Sequence, residues 1–175
     1  MAEEKKERWL TYLSFTTVLI AVCATLATFK GGGYGTKALL SQSKASDQWA
    51  FYQAKSIKSY LYDMQKENLE LQLSNTAITA NKDDLQKRID GYTEKVKKFA
   101  SEKEDIKKQA EELEKVRDDS KGHSERFGLA VIFLQISILL SSISALTKKK
   151  FLWMIGMAIG AIGIVYFING FIVLF

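Results

Sequence analysis

Apolar residues gather into three long blocks along the chain. Trp9–Phe29, Phe127–Leu146 and Phe151–Phe175 are 21, 20 and 25 residues long and contain no Asp, Glu, Lys, Arg or His. A helix needs about 20 consecutive apolar residues to cross a bilayer core. The pattern therefore predicts transmembrane helices at 9–29, 127–146 and 151–175, and it excludes a soluble single-domain enzyme.

The polar region between the first two blocks carries a seven-residue apolar repeat, which is typical of a coiled coil. Its members are Ile57, Met64, Leu71, Ile78, Leu85, Tyr92, Phe99, Ile106 and Leu113. The companion positions, four residues after each member, are polar between Asn68 and Lys82. Pairing should therefore be weakest in the middle of the region.

This region, residues 37–126, must start and end at one membrane face. A straight helix over 37–120 would be about 125 Å long, so we predict that the chain folds back as an antiparallel coiled-coil hairpin. The tip is placed near 75–81, where the residues are short or polar and Asn81 can cap a second helix that starts with Asp83 and Asp84. The fold class is an all-α membrane protein with three transmembrane helices and this hairpin.

A glycine-rich segment, residues 30–36, connects the first block to the hairpin. It does not fit a phosphate-binding loop, because Thr36 separates Gly35 from Lys37. It does not fit a potassium filter, because no pore helix fits after Phe29. We predict a flexible joint, since glycine tolerates backbone angles that redirect a chain.

Charge placement predicts the topology. Residues 30–126 hold 19 Lys and Arg against 17 Asp and Glu, an interspersed pattern that does not indicate nucleic-acid binding. The turn 147–150 contains Lys148, Lys149 and Lys150, and basic short turns face the cytoplasm. The tail 1–8 is then cytoplasmic and the hairpin lies outside. The first block is longer than a signal-peptide core, so we expect a retained helix.

The sequence offers no reaction centre. Cys23 lies inside the first block and His123 stands alone in a charged stretch, so neither a disulfide nor a metal site can be assigned. No nucleophile and base occur at a spacing that specifies a reaction. We expect no catalytic residue, no metal and no cofactor.

The first arm of the hairpin is apolar on more faces than one neighbouring helix can cover, which favours a homo-oligomer. Small residues on the third membrane helix also permit close packing within or between copies. The candidate oligomer interface comprises Tyr60, Tyr62, Leu69, Leu73, Gly156, Gly160 and Gly163.

Residues 44–58 form the most distinctive stretch of the chain. Its aromatic and basic residues are compatible with a membrane-proximal lipid site, or with packing against the returning arm near His123 and Phe127. The residues concerned are Lys44, Gln48, Trp49, Tyr52, Lys55 and Lys58. Together with 126–131 and 134–136, this stretch resembles the uncharacterised domain-of-unknown-function family 4337 of small bacterial inner-membrane proteins. The resemblance implies a bacterial inner-membrane location, three membrane helices and an intervening helical region, but no reaction.

These patterns favour a non-enzymatic, oligomeric inner-membrane scaffold whose periplasmic coiled-coil rods bind further copies or an unidentified protein. The alternative is a pore-forming or transport-associated membrane component. A membrane enzyme using Asp47, Lys55 and His123 is disfavoured, because their spacing specifies no reaction. The expected partners are the lipid bilayer and further copies, without nucleic acid.

Overall fold

A computed structural model describes the backbone of residues 2–75 and 82–172 and the side chains of residues 8–74 and 82–172. This part of the chain is all α-helical, with helices α1 (Ala2–Asn75), α2 (Lys82–Thr147) and α3 (Lys150–Ile172) and no strand. The predicted all-α class is confirmed. The predicted tip at 75–81 and the Asn81 cap lie outside the described residues, apart from the backbone of Asn75.

Each of the three described helices contains a stretch that is long and apolar enough to cross a membrane. In α1 and α2 this stretch is continuous with a long polar stretch of the same helix. The described residues of the three apolar blocks are therefore helical, but two of the blocks are parts of much longer helices, and residues 173–175 of the third block lie outside the described residues.

Helix α1 passes through residues 30–36 without interruption, where the sequence predicts a joint. No glycine in the described residues has a positive φ angle. Glycine in a helix interior costs about 0.5–1 kcal/mol relative to alanine. The glycines of this segment therefore do not serve to redirect the chain. Two of them, Gly31 and Gly35, lie against α2.

The chain divides into two compact units. Unit 1 comprises Met1–Leu40 and Val116–Phe175, and unit 2 comprises Ser41–Lys115. Unit 1 contains the three apolar stretches, and unit 2 contains the polar stretches of α1 and α2 up to Lys115.

Unit 1 buries mainly small residues and exposes many large apolar side chains. Its buried positions include Ala27, Ala130, Ser137, Ser141 and Ser144, with Phe127 and Leu134 as the largest fully buried side chains. Many large apolar side chains are exposed, including Phe15, Val18, Leu26, Ile132, Leu139, Val165 and Ile168. This distribution is opposite to that of a water-soluble helical bundle, which buries its large apolar residues.

A tight turn joins α2 to α3. Lys148 adopts a left-handed conformation with a φ of 54°, as residues that follow a helix often do. The Ser144 hydroxyl donates a hydrogen bond to the Lys149 carbonyl at 2.9 Å. At the same end of unit 1, the Trp153 indole N–H donates to Thr16 Oγ1 at 3.3 Å and the ring lies 6.4 Å from that of Trp9.

In unit 2, contacts between α1 and α2 run in opposite order along the two helices. Trp49 contacts Glu114, Lys55 contacts Glu102, and Tyr62 contacts Tyr92. The covered positions of α1 alternate at spacings of four and three; we call them the inner stripe. Its members are Ser41, Ala45, Gln48, Tyr52, Lys55, Ser59, Tyr62, Lys66, Leu69 and Leu73.

On α2 the covered positions coincide with the predicted repeat and its companions. They are Leu85, Ile89, Tyr92, Val96, Phe99, Lys103, Ile106, Ala110 and Leu113. On α1 the assignment is wrong, because Ile57, Met64 and Leu71 are 61%, 56% and 61% exposed. These residues lie on an opposite face of α1, which we call the outer row. Its members are Ala54, Ile57, Leu61, Met64, Asn68 and Leu71.

The reason for the difference lies in the polar groups of α2. Glu102 and Glu114 lie on or beside the covered face of α2, and they take Lys55 and Trp49 as partners. A partly buried carboxylate requires such partners, because burial without a hydrogen bond is costly. Helix α1 therefore turns its polar and aromatic stripe inward and its aliphatic residues outward.

Candidate functional site

Two glycines allow α1 and α2 to approach closely in unit 1. A Cβ atom on Gly31 would lie 2.9 Å from the Cβ of Phe127, and one on Gly35 would lie 3.2 Å from Ser124 Oγ. The Ser124 hydroxyl donates a hydrogen bond to the Gly31 carbonyl at 2.9 Å. The spacing of four residues is that of the GxxxG motif of membrane helix pairs. Gly31 and Gly35 are therefore packing residues.

His123 connects all three helices near this contact. Its Nδ1 lies 2.7 Å from the Gly170 carbonyl oxygen of α3, and its ring stacks on Tyr34 of α1 with centroids 4.4 Å apart. Because a carbonyl oxygen only accepts, Nδ1 must carry the proton of this hydrogen bond. The other ring nitrogen, Nε2, lies 3.8 Å from Asp119 Oδ1. The imidazole thus joins the three helices through noncovalent contacts.

Two open grooves lie along the glycine-rich stretch of α1. One has a volume of about 390 Å³ and is bordered by Gly31, Gly35, Ser124 and Gly128. The other has a volume of about 610 Å³ and follows the face of α1 from Thr28 to Lys37. Their linings contain no carboxylate, imidazole or thiol. The larger groove is also lined by the side chains of Lys30, Tyr34 and Lys37, and the smaller one mainly by glycine, alanine, serine and threonine.

The centre of unit 2 is an ion pair between aromatic rings. Lys55 donates a hydrogen bond to Glu102, and both side chains are partly buried. The Lys55 ammonium also lies 5.4 Å from the ring centroid of Phe51 and 5.1 Å from that of Phe99, in cation–π contact. The hydrogen bond from Lys55 lowers the pKa of Glu102 below its ordinary value of 4.5. The carboxylate of Glu102 therefore stays charged to a lower pH than an unpaired glutamate would.

Further cation–aromatic contacts flank this pair. The Lys103 ammonium lies between the rings of Tyr52 and Tyr60, at 5.7 and 5.8 Å from their centroids. Lys95 similarly lies 5.0 Å from the ring centroid of Tyr62. The Trp49 indole N–H donates to Glu114 Oε1 at 3.0 Å. The arrangement fixes the register of the two helices. Among the described residues, no group of three His, Cys, Asp or Glu side chains is placed to hold a metal ion.

The model of one family, described as a domain of unknown function (DUF4337), matches residues 9–173. The chain belongs to the DUF4337 family. The match covers all three apolar stretches and the polar region between them. No match was found among curated proteins or among solved structures.

The predicted membrane-proximal residues of this DUF4337 chain divide into two groups. Trp49, Tyr52 and Lys55 contact Glu114, Lys103 and Glu102 of α2 within unit 2, and Gln48 lies on the inner stripe. The predicted neighbours His123 and Phe127 belong to unit 1. Lys44 and Lys58 are exposed. The contacts of the first group are those of interhelical packing, and the two exposed lysines are accessible to an anionic group.

The predicted interface residues of the DUF4337 chain lie mostly inside the protein. Tyr62 packs against Tyr92 and Phe99 with centroids 5.7 and 5.6 Å away, and Leu69 and Leu73 share its stripe. Tyr60 is exposed. Gly156, Gly160 and Gly163 are buried against α2, where added Cβ atoms would meet Leu140, Ser137 and Leu134. Their small-residue face is therefore covered within one chain.

Sequence reasoning missed two features. The close contact at Gly31 and Gly35 was signalled by their spacing of four residues. The outer row was visible in the seven-residue repeat, but that pattern predicts that these residues of α1 pack against α2, whereas they are exposed. The outer row is the feature of this DUF4337 protein that needs a function.

Proposed function

We propose that this protein is a non-enzymatic scaffold of a bacterial inner membrane that assembles with further copies through its extramembrane helices. Unit 1 supplies the anchor. Its exposed surface in the three apolar stretches consists of large aliphatic and aromatic side chains, which suit contact with lipid tails. Its interior of glycine, alanine and serine suits close helix packing within a bilayer.

The basic turn between α2 and α3 supports a cytoplasmic position for that turn. Residues 41–115 then form an antiparallel coiled-coil hairpin on the periplasmic side. The opposite order of the α1 and α2 contacts and the alternating spacings of four and three support this hairpin.

The outer row is the observation that carries the proposal. Ile57, Leu61, Met64 and Leu71 are each more than half exposed, on the face of α1 opposite the inner stripe that α2 covers. Burying a large apolar side chain contributes roughly 1.5–3 kcal/mol. A contiguous apolar row in water marks an interaction surface, and a further copy of the same row is available in every membrane that contains the protein.

The mass of the protein in nanodiscs tests the proposal. Mass photometry of the full chain should give more than one copy per particle. The triple variant Ile57→Gln, Leu61→Gln and Met64→Gln should give one copy, because it replaces the apolar row with residues of similar helix propensity. A single copy per particle for the unaltered chain at all lipid ratios would refute assembly.

A matched control tests whether the loss of assembly depends on where the three glutamines are placed. Lys97, Glu104 and Lys108 are exposed on α2. Changing all three to Gln should leave the particle mass unchanged, and circular dichroism should show the same helix content for both triple variants. A lower mass for the control would mean that assembly does not depend on the outer row.

A second candidate, a pore or transport component, is favoured by one residue. Gln135 is exposed in the apolar stretch of α2. An amide that faces lipid is costly, whereas one that faces an oligomer axis can be hydrated. Stepwise currents in planar bilayers that are abolished by Gln135→Leu would favour this candidate over the scaffold.

A further inference from the structure

The outer row has the spacing of a coiled-coil seam. Its six members follow one another at intervals of three, four, three, four and three residues. This is the alternation of a and d positions in a heptad, with Ala54, Leu61 and Asn68 at a and Ile57, Met64 and Leu71 at d. Every member is exposed, while the inner stripe of the same helix is covered by α2. Such a seam is complementary to another helix.

Asn68 restricts what that helix is and how it runs. In a parallel, in-register pair of identical helices each a position meets its own copy, so the two Asn68 amides can bond to each other. In an antiparallel pair a positions meet d positions, which are all apolar in this row. An amide buried there without a partner would destabilise the antiparallel pair.

The flanking residues fit the same arrangement. In a parallel in-register pair, Gln53 of one copy faces Lys58 of the other, and Glu67 faces Gln72, as g and e positions do. No pair of like charges is brought together along the seam. The row is therefore electrostatically compatible with a second copy of itself.

Building on the proposed assembly, we propose that two copies pair their α1 helices through the outer row, parallel and in register, with a layer formed by Asn68 from each copy. Copies inserted the same way in one membrane run α1 in the same direction. The seam from Ala54 to Leu71 is about 27 Å long at 1.5 Å per residue. So short a seam is weak in dilute solution, and confinement to one membrane raises the effective concentration of the copies.

Single-cysteine crosslinking of the full chain in nanodiscs or native membranes tests the arrangement, in a Cys23→Ala background. Cysteines placed at Ala54, Leu61 and Leu71, one per variant, should each give a disulfide-linked dimer on mild oxidation. In a parallel in-register pair every seam residue meets its own copy. In an antiparallel pair, a residue at either end meets the opposite end.

The control is a cysteine at Lys108, which is exposed on α2. It should crosslink at least tenfold more slowly than the seam variants. Equal rates would overturn the proposal, because they would indicate random collision. Dimers that form only at Leu61 would overturn the parallel register. No seam crosslink in particles that contain several copies would overturn the seam while the proposed assembly stands, and single-copy particles would refute both.

Substitution of the polar layer gives a second readout. Asn68→Leu should strengthen self-association about tenfold, because a buried Asn fixes register at a cost in stability. In detergent, where copies are not held in one orientation, the same variant should also gain crosslinks between a cysteine at Ala54 and one at Leu71, because antiparallel pairing no longer leaves the Asn68 amide without a partner. Unchanged association would show that Asn68 does not lie in an interface. Because Asn68 is exposed in the single chain, the variant should fold normally.

Discussion

Alanine substitution of neighbouring glycines in α1 gives a sharp test of the helix contact in unit 1. At Gly33 nothing lies within 4 Å of an added Cβ atom, whereas at Gly31 the Phe127 Cβ lies 2.9 Å away. Both substitutions gain about 0.5–1 kcal/mol from helix propensity. Only Gly31→Ala also overpacks a contact, at a cost of about 1–3 kcal/mol.

The cost is not easily relieved. The Cβ of Phe127 can move away from Gly31 only if the α2 backbone or the Phe127 ring moves as well. The ring is fully buried and contacts Phe171, with ring centroids 5.0 Å apart. Gly33→Ala should therefore be more stable than the unaltered protein, and Gly31→Ala less stable than Gly33→Ala by about 1–3 kcal/mol.

Thermal unfolding in detergent, followed by circular dichroism at 222 nm, measures the difference. For a chain of this size 1 kcal/mol corresponds to about 2–4 °C. The Tm of Gly31→Ala should therefore lie several degrees below that of Gly33→Ala, while the propensity gain common to both cancels. If the two variants melt at the same temperature, the close approach of α1 and α2 at Gly31 is refuted.

Two further predictions concern the ion pair and the topology. Lys55→Met should destabilise the protein at pH 7 more than Lys107→Met does, because Lys107 makes only an exposed pair. Since its pKa is lowered in the folded state, Glu102 stabilises the fold above its unfolded pKa of about 4.5 and loses that contribution as the pH falls through the folded pKa. The two variants should therefore converge in chemical denaturation at acidic pH. A membrane-impermeant thiol reagent, applied to cells with a permeabilised outer membrane, should label a cysteine at Lys121 and not one at Lys148; the opposite pattern would invert the topology.

Hydrophobic periodicity was sufficient to predict the helices but not the faces by which they meet. The α2 stripe from Leu85 to Leu113 agrees with the predicted repeat. Helix α1 contains two stripes with heptad spacing, one polar and aromatic and the other aliphatic. Since both stripes have this spacing, hydrophobicity favours the aliphatic stripe as the partner of α2. The choice is reversed by Glu102 and Glu114, whose partners Lys55 and Trp49 lie on the polar stripe.

The glycine segment shows a different limit. Glycine is compatible with a bend, because it adopts unusual backbone angles, and with close packing, because it lacks a side chain. The sequence alone does not distinguish these uses at 30–36. The difference comes from α2, which places Ser124 and Phe127 against Gly31 and Gly35 but nothing against Gly32 and Gly33. The spacing of four residues permits a close contact at Gly31 and Gly35, but it does not identify the residues that make the contact.

The two units should contribute unequally to assembly. In unit 1 the glycines of α3 are already covered by Ser137 and Leu134, and the remaining large apolar side chains are compatible with lipid contact. Helices gain no hydrophobic free energy by replacing lipid contacts with one another. In unit 2, on the proposed topology, the outer row faces water, where burial of each large apolar side chain contributes roughly 1.5–3 kcal/mol. We therefore expect Leu61→Ala to lower the particle mass strongly. The matched variant Leu139→Ala, on the exposed face of α2 in unit 1, should lower it only weakly. A comparable loss of particle mass for the two variants would place the driving force in the membrane instead.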